Sequence, residues 1–136
     1  MHLASVPHPG LPASLAPYRI GPWRSPVRGI GLATILPAVT GRGHDRRAGL
    51  HLLRVAPGMA LPSHGHGGLE LTAVLGGAFE DDGGVFRVGD VAECDAAADH
   101  APVALAGETC LCLIAIGGRL RFRHWLARLV QPWFGI

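Results

Sequence analysis

The sequence lacks a hydrophobic run long enough to span a membrane, although 49% of its 136 residues are hydrophobic. Its longest apolar stretches, such as CLCLIAIGG, fall well short of the ~20 residues that a membrane-spanning helix needs. The N-terminus has no basic segment followed by an apolar one, so neither a secretory signal nor a transit peptide is indicated. We therefore expect a cytoplasmic protein that does not associate with membranes.

The chain also lacks lysine, a strong net charge and a cysteine framework. All twelve basic residues are arginine, and the net charge is only +2, which is too small to predict direct nucleic-acid binding. The three cysteines, Cys94, Cys110 and Cys112, do not have the paired spacing of disulfide-rich domains or zinc ribbons. We expect reduced thiols, with Cys110 and Cys112 buried on one face of a strand. A redox-sensing role for that pair stays open.

Turn-forming residues divide the chain into short segments typical of an all-β protein. Residues 1–17 hold four of the eleven prolines and show no periodicity, so they are predicted to form a flexible lead-in to a single domain at 18–136. Beyond them, runs rich in Val, Ile, Leu and Thr are interrupted every eight to twelve residues by Gly, Pro or Asp, as in a β-sandwich or barrel. The tail predicts a strand around Leu120–Phe122 and then a short helix that ends at Pro132. The predicted strands before the tail are 27–36, 49–56, 59–66, 70–80, 84–88, 91–94, 100–105 and 109–116.

The stretch HGHGGLE places His64, His66 and Glu70 at offsets that suit a metal site. Alternation along a strand puts both histidines on one face. A three-residue hairpin loop at 67–69 would pair residue 66 with 70 and residue 64 with 72, which would bring Glu70 to the same face. Buried imidazole and carboxylate groups need partners, and a divalent metal would satisfy all three. His100, which begins the apolar segment HAPVAL, is the best candidate for a fourth ligand.

The remaining polar residues do not point to a second site. We interpret His2, His8, His44, His51 and His124 as surface or satisfied core histidines. Glu80, Asp81 and Asp82 form an acidic turn that is predicted to face solvent. Asp99, beside His100, could orient that imidazole or cap a loop. No catalytic or cofactor-binding residue is assigned beyond the metal ligands.

The metal constellation resembles the first motif of the cupin superfamily. That motif is a glycine, five residues, His-x-His, three or four residues, a glutamate, six residues and a glycine, which Gly58, the two histidines, Glu70 and Gly77 match at every interval. Gly89 and His100 fit the spacing of the second motif, whereas Asp95, Ala97 and Ala104 replace its usual Pro, Gly and Asn. The resemblance implies a jelly-roll barrel, a double-stranded β-helix, with an intact ligand set and an altered loop.

A narrower resemblance covers about residues 19–136, through the segments LHLLRVAPGM, SHGHGGLELT, CLCLIA and QPWFGI. These are similar to the C-terminal cupin-like domain of ChrR-type anti-sigma factors. The resemblance implies zinc binding by His64, His66, Glu70 and His100, and a role in holding an extracytoplasmic-function sigma factor inactive until oxidative stress. The family's sigma-binding domain carries a His-x3-Cys-x2-Cys signature that these residues do not contain. We therefore expect either the cupin part of a longer regulator, linked to a sigma factor only indirectly, or a stand-alone relative; neither should inhibit a sigma factor unaided.

Three functional interpretations stay open. The first is a regulatory cupin in which a divalent metal, zinc before iron, manganese or nickel, holds a barrel that senses a small molecule or an oxidative signal. The second is a metal-dependent cupin enzyme of the dioxygenase or isomerase type, for which the strands offer few polar groups besides the ligands: Thr72, Arg54, Glu93 and His51. The third is a metal-free structural cupin, which leaves buried polar groups without partners. The resemblance to cupins also implies a homodimer that pairs through sheet edges.

Overall fold

Strands dominate the computed structural model, which describes residues 11–36, 49–61, 64–66, 69–95, 100–117 and 120–122. The only helix among them is a 3-10 turn at Ala13–Leu15. No helix in these ranges is long and apolar enough to cross a membrane. The strands are β1 Arg19–Ile20, β2 Ile30–Leu36, β3 Gly49–Val55, β4 His64–His66, β5 Glu70–Gly76, β6 Ala78–Asp81, β7 Gly84–Arg87, β8 Val91–Cys94, β9 Val103–Ala104, β10 Cys110–Ile116 and β11 Leu120–Phe122.

The described strands form three antiparallel sheets. The largest has the order β1-β2-β3-β10-β5-β8, a second has the order β7-β6-β9, and β11 pairs with β4 in the third. This arrangement confirms the all-β prediction. The predicted strand 70–80 is in fact two strands in different sheets, separated by Gly77 at φ 63°.

The main core lies between the inner faces of the six-stranded and three-stranded sheets. Burial alternates along β10, whose inward residues are Cys110, Cys112, Ile114 and Ile116. Burying each aliphatic side chain of this kind contributes about 1.5–3 kcal/mol. The cluster consists of Ile30, Val55, Val74, Phe79, Ala92, Ala104, Cys110, Cys112, Ile114 and Ile116.

A second cluster lies on the other face of the six-stranded sheet. Leu15, from the 3-10 turn, packs there with Ala33, Ile35 and Leu52. The apolar outer face of β2 and β3 is thus covered by chain that precedes β1. The division into a lead-in at 1–17 and a domain at 18–136 stays a prediction, to which the structure adds the buried position of Leu15.

The predicted hairpin between the two histidines and Glu70 is wrong. Strand β4 pairs with β11, so that His66 lies opposite Leu120 and His64 lies opposite Phe122. Both hydrogen-bonding edges of β5 are occupied at Glu70, by β8 on one side and β10 on the other. No edge of β5 is therefore free for β4, and the two segments belong to different sheets. The predicted C-terminal helix, which ends at Pro132, lies outside the described residues, whereas the predicted strand at Leu120–Phe122 is confirmed.

Candidate metal site

Glu70 begins β5 with its side chain directed into the barrel. Burial alternates along this strand, so that Glu70, Thr72 and Val74 share the inner face. The Glu70 side chain is only 6% exposed, and Thr72 donates its hydroxyl to Glu70 Oε1 at 3.2 Å. A carboxylate in such surroundings is costly unless cations or donors surround it.

His100 lies between two carboxylates that come from different strands. Its Nε2 is 3.6 Å from Glu70 Oε1, and its Nδ1 is 3.5 Å from Asp81 Oδ2. The three side chains are 9%, 6% and 13% exposed, respectively. The fold thus brings one imidazole and two carboxylates, up to thirty positions apart in the sequence, into contact at a nearly buried position.

The electrostatics of this place follow from the two carboxylates. The pKa of His100 is raised, chiefly by its interaction with Glu70; burial opposes the shift, and Asp81 adds to it. The pKa of the Cys94 thiol is also raised, first by burial and then by the charges of Glu70, Asp81 and Asp95. Cys94 is the register partner of Glu70 on β8. In both cases the charges of Glu70 and Asp81 raise the pKa, as expected beside two carboxylates.

The structure brings two of the four predicted ligands together, namely Glu70 and His100. His64 and His66 are placed by their backbone in β4, but their side chains lie outside the described set. Among the side chains that the structure does describe, no group of three or more His, Cys, Asp or Glu residues could by itself hold a metal. The four-ligand set stays a prediction.

The donor chemistry of the described pair fits a divalent ion. An imidazole nitrogen and a carboxylate oxygen face each other across 3.6 Å inside the barrel. These are the ligand types that zinc and neighbouring transition metals accept, and the Thr72 hydroxyl helps to fix the carboxylate.

Asp81 is the site residue that sequence reasoning missed. The acidic turn was predicted to face solvent, which is right for Glu80 and Asp82 and wrong for Asp81. The alternation along β6 could have indicated its position. Residues two apart in a strand share a face, so Asp81 lies on the same face as the buried Phe79. Asp99, the other candidate for orienting His100, lies outside the described residues.

His51 is a second buried histidine on the inner face. It is 5% exposed, and its Nδ1 lies 3.2 Å from Thr34 Oγ1. Burial lowers its pKa, so the neutral form is favoured. Its interpretation as a satisfied core histidine is confirmed, whereas His2, His8, His44 and His124 lie outside the described residues.

The cysteines behave as the sequence predicted. All three are free, and Cys110 and Cys112 are buried with their Sγ atoms 3.5 Å apart. The pKa of Cys112 is raised by its hydrogen bond with Cys110 and by burial, while the same hydrogen bond lowers the pKa of Cys110.

Comparison with known proteins identifies the family of this chain and a curated relative. A family model described as the ChrR cupin-like domain matches residues 41–118, more than half of the chain. The anti-sigma-E factor ChrR of Cereibacter sphaeroides is 49% identical over 85 residues, which are 62% of this chain and 40% of the relative. The chain thus spans well under two thirds of the length of that relative.

Similar solved structures support the same family assignment. The complex of Rhodobacter sphaeroides SigE with the anti-sigma factor ChrR contains a chain with a TM-score of 0.67 and 40% identity, over 80% of this chain and 58% of that one. An RmlC-like cupin protein from Ralstonia eutropha has a TM-score of 0.62 at 19% identity, over 77% of this chain and 66% of that one. The second similarity shows the fold alone, and it confirms the jelly-roll cupin architecture.

Proposed function

Because the chain belongs to the ChrR cupin-like domain family, we propose that it is a metal-binding domain with a regulatory role. The proposed ligands are His64, His66, Glu70 and His100, and zinc is the proposed metal. Bound metal would tie β4, β5 and the segment before β9 together, which makes the barrel's stability dependent on the ion.

The observation that carries this proposal is the Glu70–His100 pair. The two side chains come from segments thirty residues apart, and each is less than a tenth exposed. The nearby Asp81 adds a second negative charge, so the site holds more negative charge than one histidine can neutralise. A divalent cation would offset that charge and accept both donors.

The proposed partner follows from the relatives. ChrR of R. sphaeroides is seen in complex with SigE. For this chain we infer an indirect link to an extracytoplasmic-function sigma factor, through a longer regulator whose cupin part corresponds to residues 18–136, with residues 1–17 as the lead-in. The proposed setting is the cytoplasm, with a small-molecule or oxidative signal acting on the barrel, and a homodimer formed through sheet edges. Direct contact with nucleic acid is not part of the proposal.

Elemental analysis of protein purified without added metal tests the function. We expect about one zinc per chain in the wild type and loss of zinc in Glu70→Gln and His100→Ala. The control Glu80→Gln should retain zinc, because Glu80 lies in β6 with an exposed side chain. An oxygen-uptake assay is run on the same samples. Bound iron with oxygen consumption would overturn the regulatory assignment in favour of a metalloenzyme, and a wild-type protein without metal would overturn the metal site.

A further inference from the structure

The two ring nitrogens of His100 face different carboxylates. Nε2 lies 3.6 Å from Glu70 Oε1, whereas Nδ1 lies 3.5 Å from Asp81 Oδ2. Glu70 is a proposed metal ligand, and Asp81 is not. The nitrogen beside Glu70 is therefore the one available to the proposed metal, and Asp81 contacts the opposite side of the ring.

The Asp81 carboxylate is held in place by the turn that follows β6. Its Oδ1 accepts a hydrogen bond from the backbone N–H of Gly83 at 2.8 Å. The other oxygen, Oδ2, is the one that faces His100. Since one oxygen is anchored to backbone and the side chain is 13% exposed, the second oxygen has a fixed direction.

The chemistry of the pair selects one form of the imidazole. Each ionised carboxylate can only accept a hydrogen bond from the ring nitrogen that it faces. Metal on Nε2 would leave the proton of the neutral ring on Nδ1, where Asp81 Oδ2 accepts it. The lone pair is then on Nε2, beside Glu70. Metal-binding histidines commonly donate their second N–H to a carboxylate, which fixes the tautomer and makes the ligand more basic.

We propose that Asp81 is a positioning residue that orients His100 and holds its proton on Nδ1 when Nε2 binds metal. This inference rests on the proposed metal site and adds a residue outside its ligand set. It also gives the acidic turn after β6 a role in metal affinity.

Asp81→Asn separates this role from a purely structural one. The Asn carbonyl can still accept from the Gly83 N–H, so the turn is kept. Its amide group then faces His100 Nδ1 as a donor, which favours the Nε2–H tautomer and blocks the nitrogen that binds metal. Asp82→Asn, at an exposed position of the same turn, is the matched control.

The measurements are zinc affinity by competition with a chelator, the melting temperature of the metal-free proteins, and the 15N shifts of the His100 ring in the zinc-bound wild type. We expect Asp81→Asn to bind zinc about 10–100-fold more weakly, with an unchanged metal-free melting temperature, and Asp82→Asn to match the wild type. The ring shifts should report the Nδ1–H tautomer.

Two results would overturn the inference while leaving the metal site in place: zinc affinity of Asp81→Asn within about twofold of a zinc-binding wild type, or an Nε2–H tautomer of His100 in the zinc-bound wild type. The second decides the matter even where the variant does not fold. A wild type that binds no zinc would overturn both the metal site and the role of Asp81.

Discussion

His51 and Thr34 face each other directly across β3 and β2, with His51 Nδ1 3.2 Å from Thr34 Oγ1. They lie in the same row of the sheet as Ile114 and Thr72. This row places polar groups on an inner face that is otherwise largely apolar. Its titratable member, His51, makes stability depend on pH.

The pH dependence of His51 has a defined sign. Burial lowers its pKa below the value of about 6.5 that it has in the unfolded chain. Above that value both states are neutral, and His51 contributes no pH dependence. As the pH falls through 6.5, the unfolded chain takes up the proton first, so the free energy of unfolding decreases until the folded pKa is reached.

Thermal unfolding at several pH values checks this prediction in metal-free protein. Between pH 7.5 and 5.5, the wild type should lose more stability than His51→Gln. His100, whose raised pKa acts in the opposite direction by adding stability at low pH, is present in both proteins and cancels in the comparison. Parallel curves for the two proteins would contradict the prediction.

Thr72→Val is expected to loosen the Glu70 carboxylate without disturbing the strand. Valine has nearly the same shape and suits a β-strand, but it removes the hydroxyl that donates to Glu70 Oε1 at 3.2 Å. A hydrogen bond of this kind contributes about 1–2 kcal/mol. Denaturant unfolding of the metal-free variant should show a loss of that order. Thr109→Val, at an exposed position, is the control, and equal effects of the two would rule out the assigned role of Thr72.

Gly77→Ala is expected to be severely destabilising. Gly77 has φ 63°, and a Cβ there would lie 2.6 Å from the backbone oxygen of Thr109 and 3.1 Å from Cys110 Cα. The neighbouring atoms are backbone of the segment that leads into β10, so they cannot move away without displacing that central strand.

Gly58→Ala isolates the backbone part of this effect. Gly58 also has a positive φ, of 74°, but a Cβ there would meet nothing within 4 Å. The left-handed conformation alone costs about 1–2 kcal/mol for alanine. Gly77→Ala should cost about 1–3 kcal/mol more than Gly58→Ala in chemical unfolding, because the steric overlap adds to the strain. Equal losses would show that the approach to Thr109 is not tight.

The strand pattern was largely accessible from the sequence, as two elements illustrate. The alternation in CLCLIAI predicted β10 within one residue, and the same alternation placed Cys110 and Cys112 together on a buried face. The break at Gly77 was harder to predict, because GG inside an apolar run permits a sheet-to-sheet crossing without requiring one. Whether the chain crosses between sheets at Gly77 depends on which strands lie beside it in the fold.

The candidate site, too, was predictable from the sequence only in part. Residue types and spacing predicted Glu70 and His100 as ligands although they are thirty residues apart, and the structure brings His100 Nε2 within 3.6 Å of Glu70 Oε1. The predicted pairing of β4 with β5 failed, because β5 has β8 and β10 as neighbours on its two edges. Asp81 was assigned to solvent for a related reason: its environment depends on His100, nineteen residues away.

The sequence by itself determined the all-β class, the positions of most strands, and the residue types that could bind a metal, because alternation and turn chemistry act between residues close together in the chain. Tertiary structure alone decided which strands are neighbours, and therefore that Glu70 faces Cys94 and that Asp81 contacts His100. Those relationships depend on hydrogen bonds between distant strands, and local sequence preferences do not specify them.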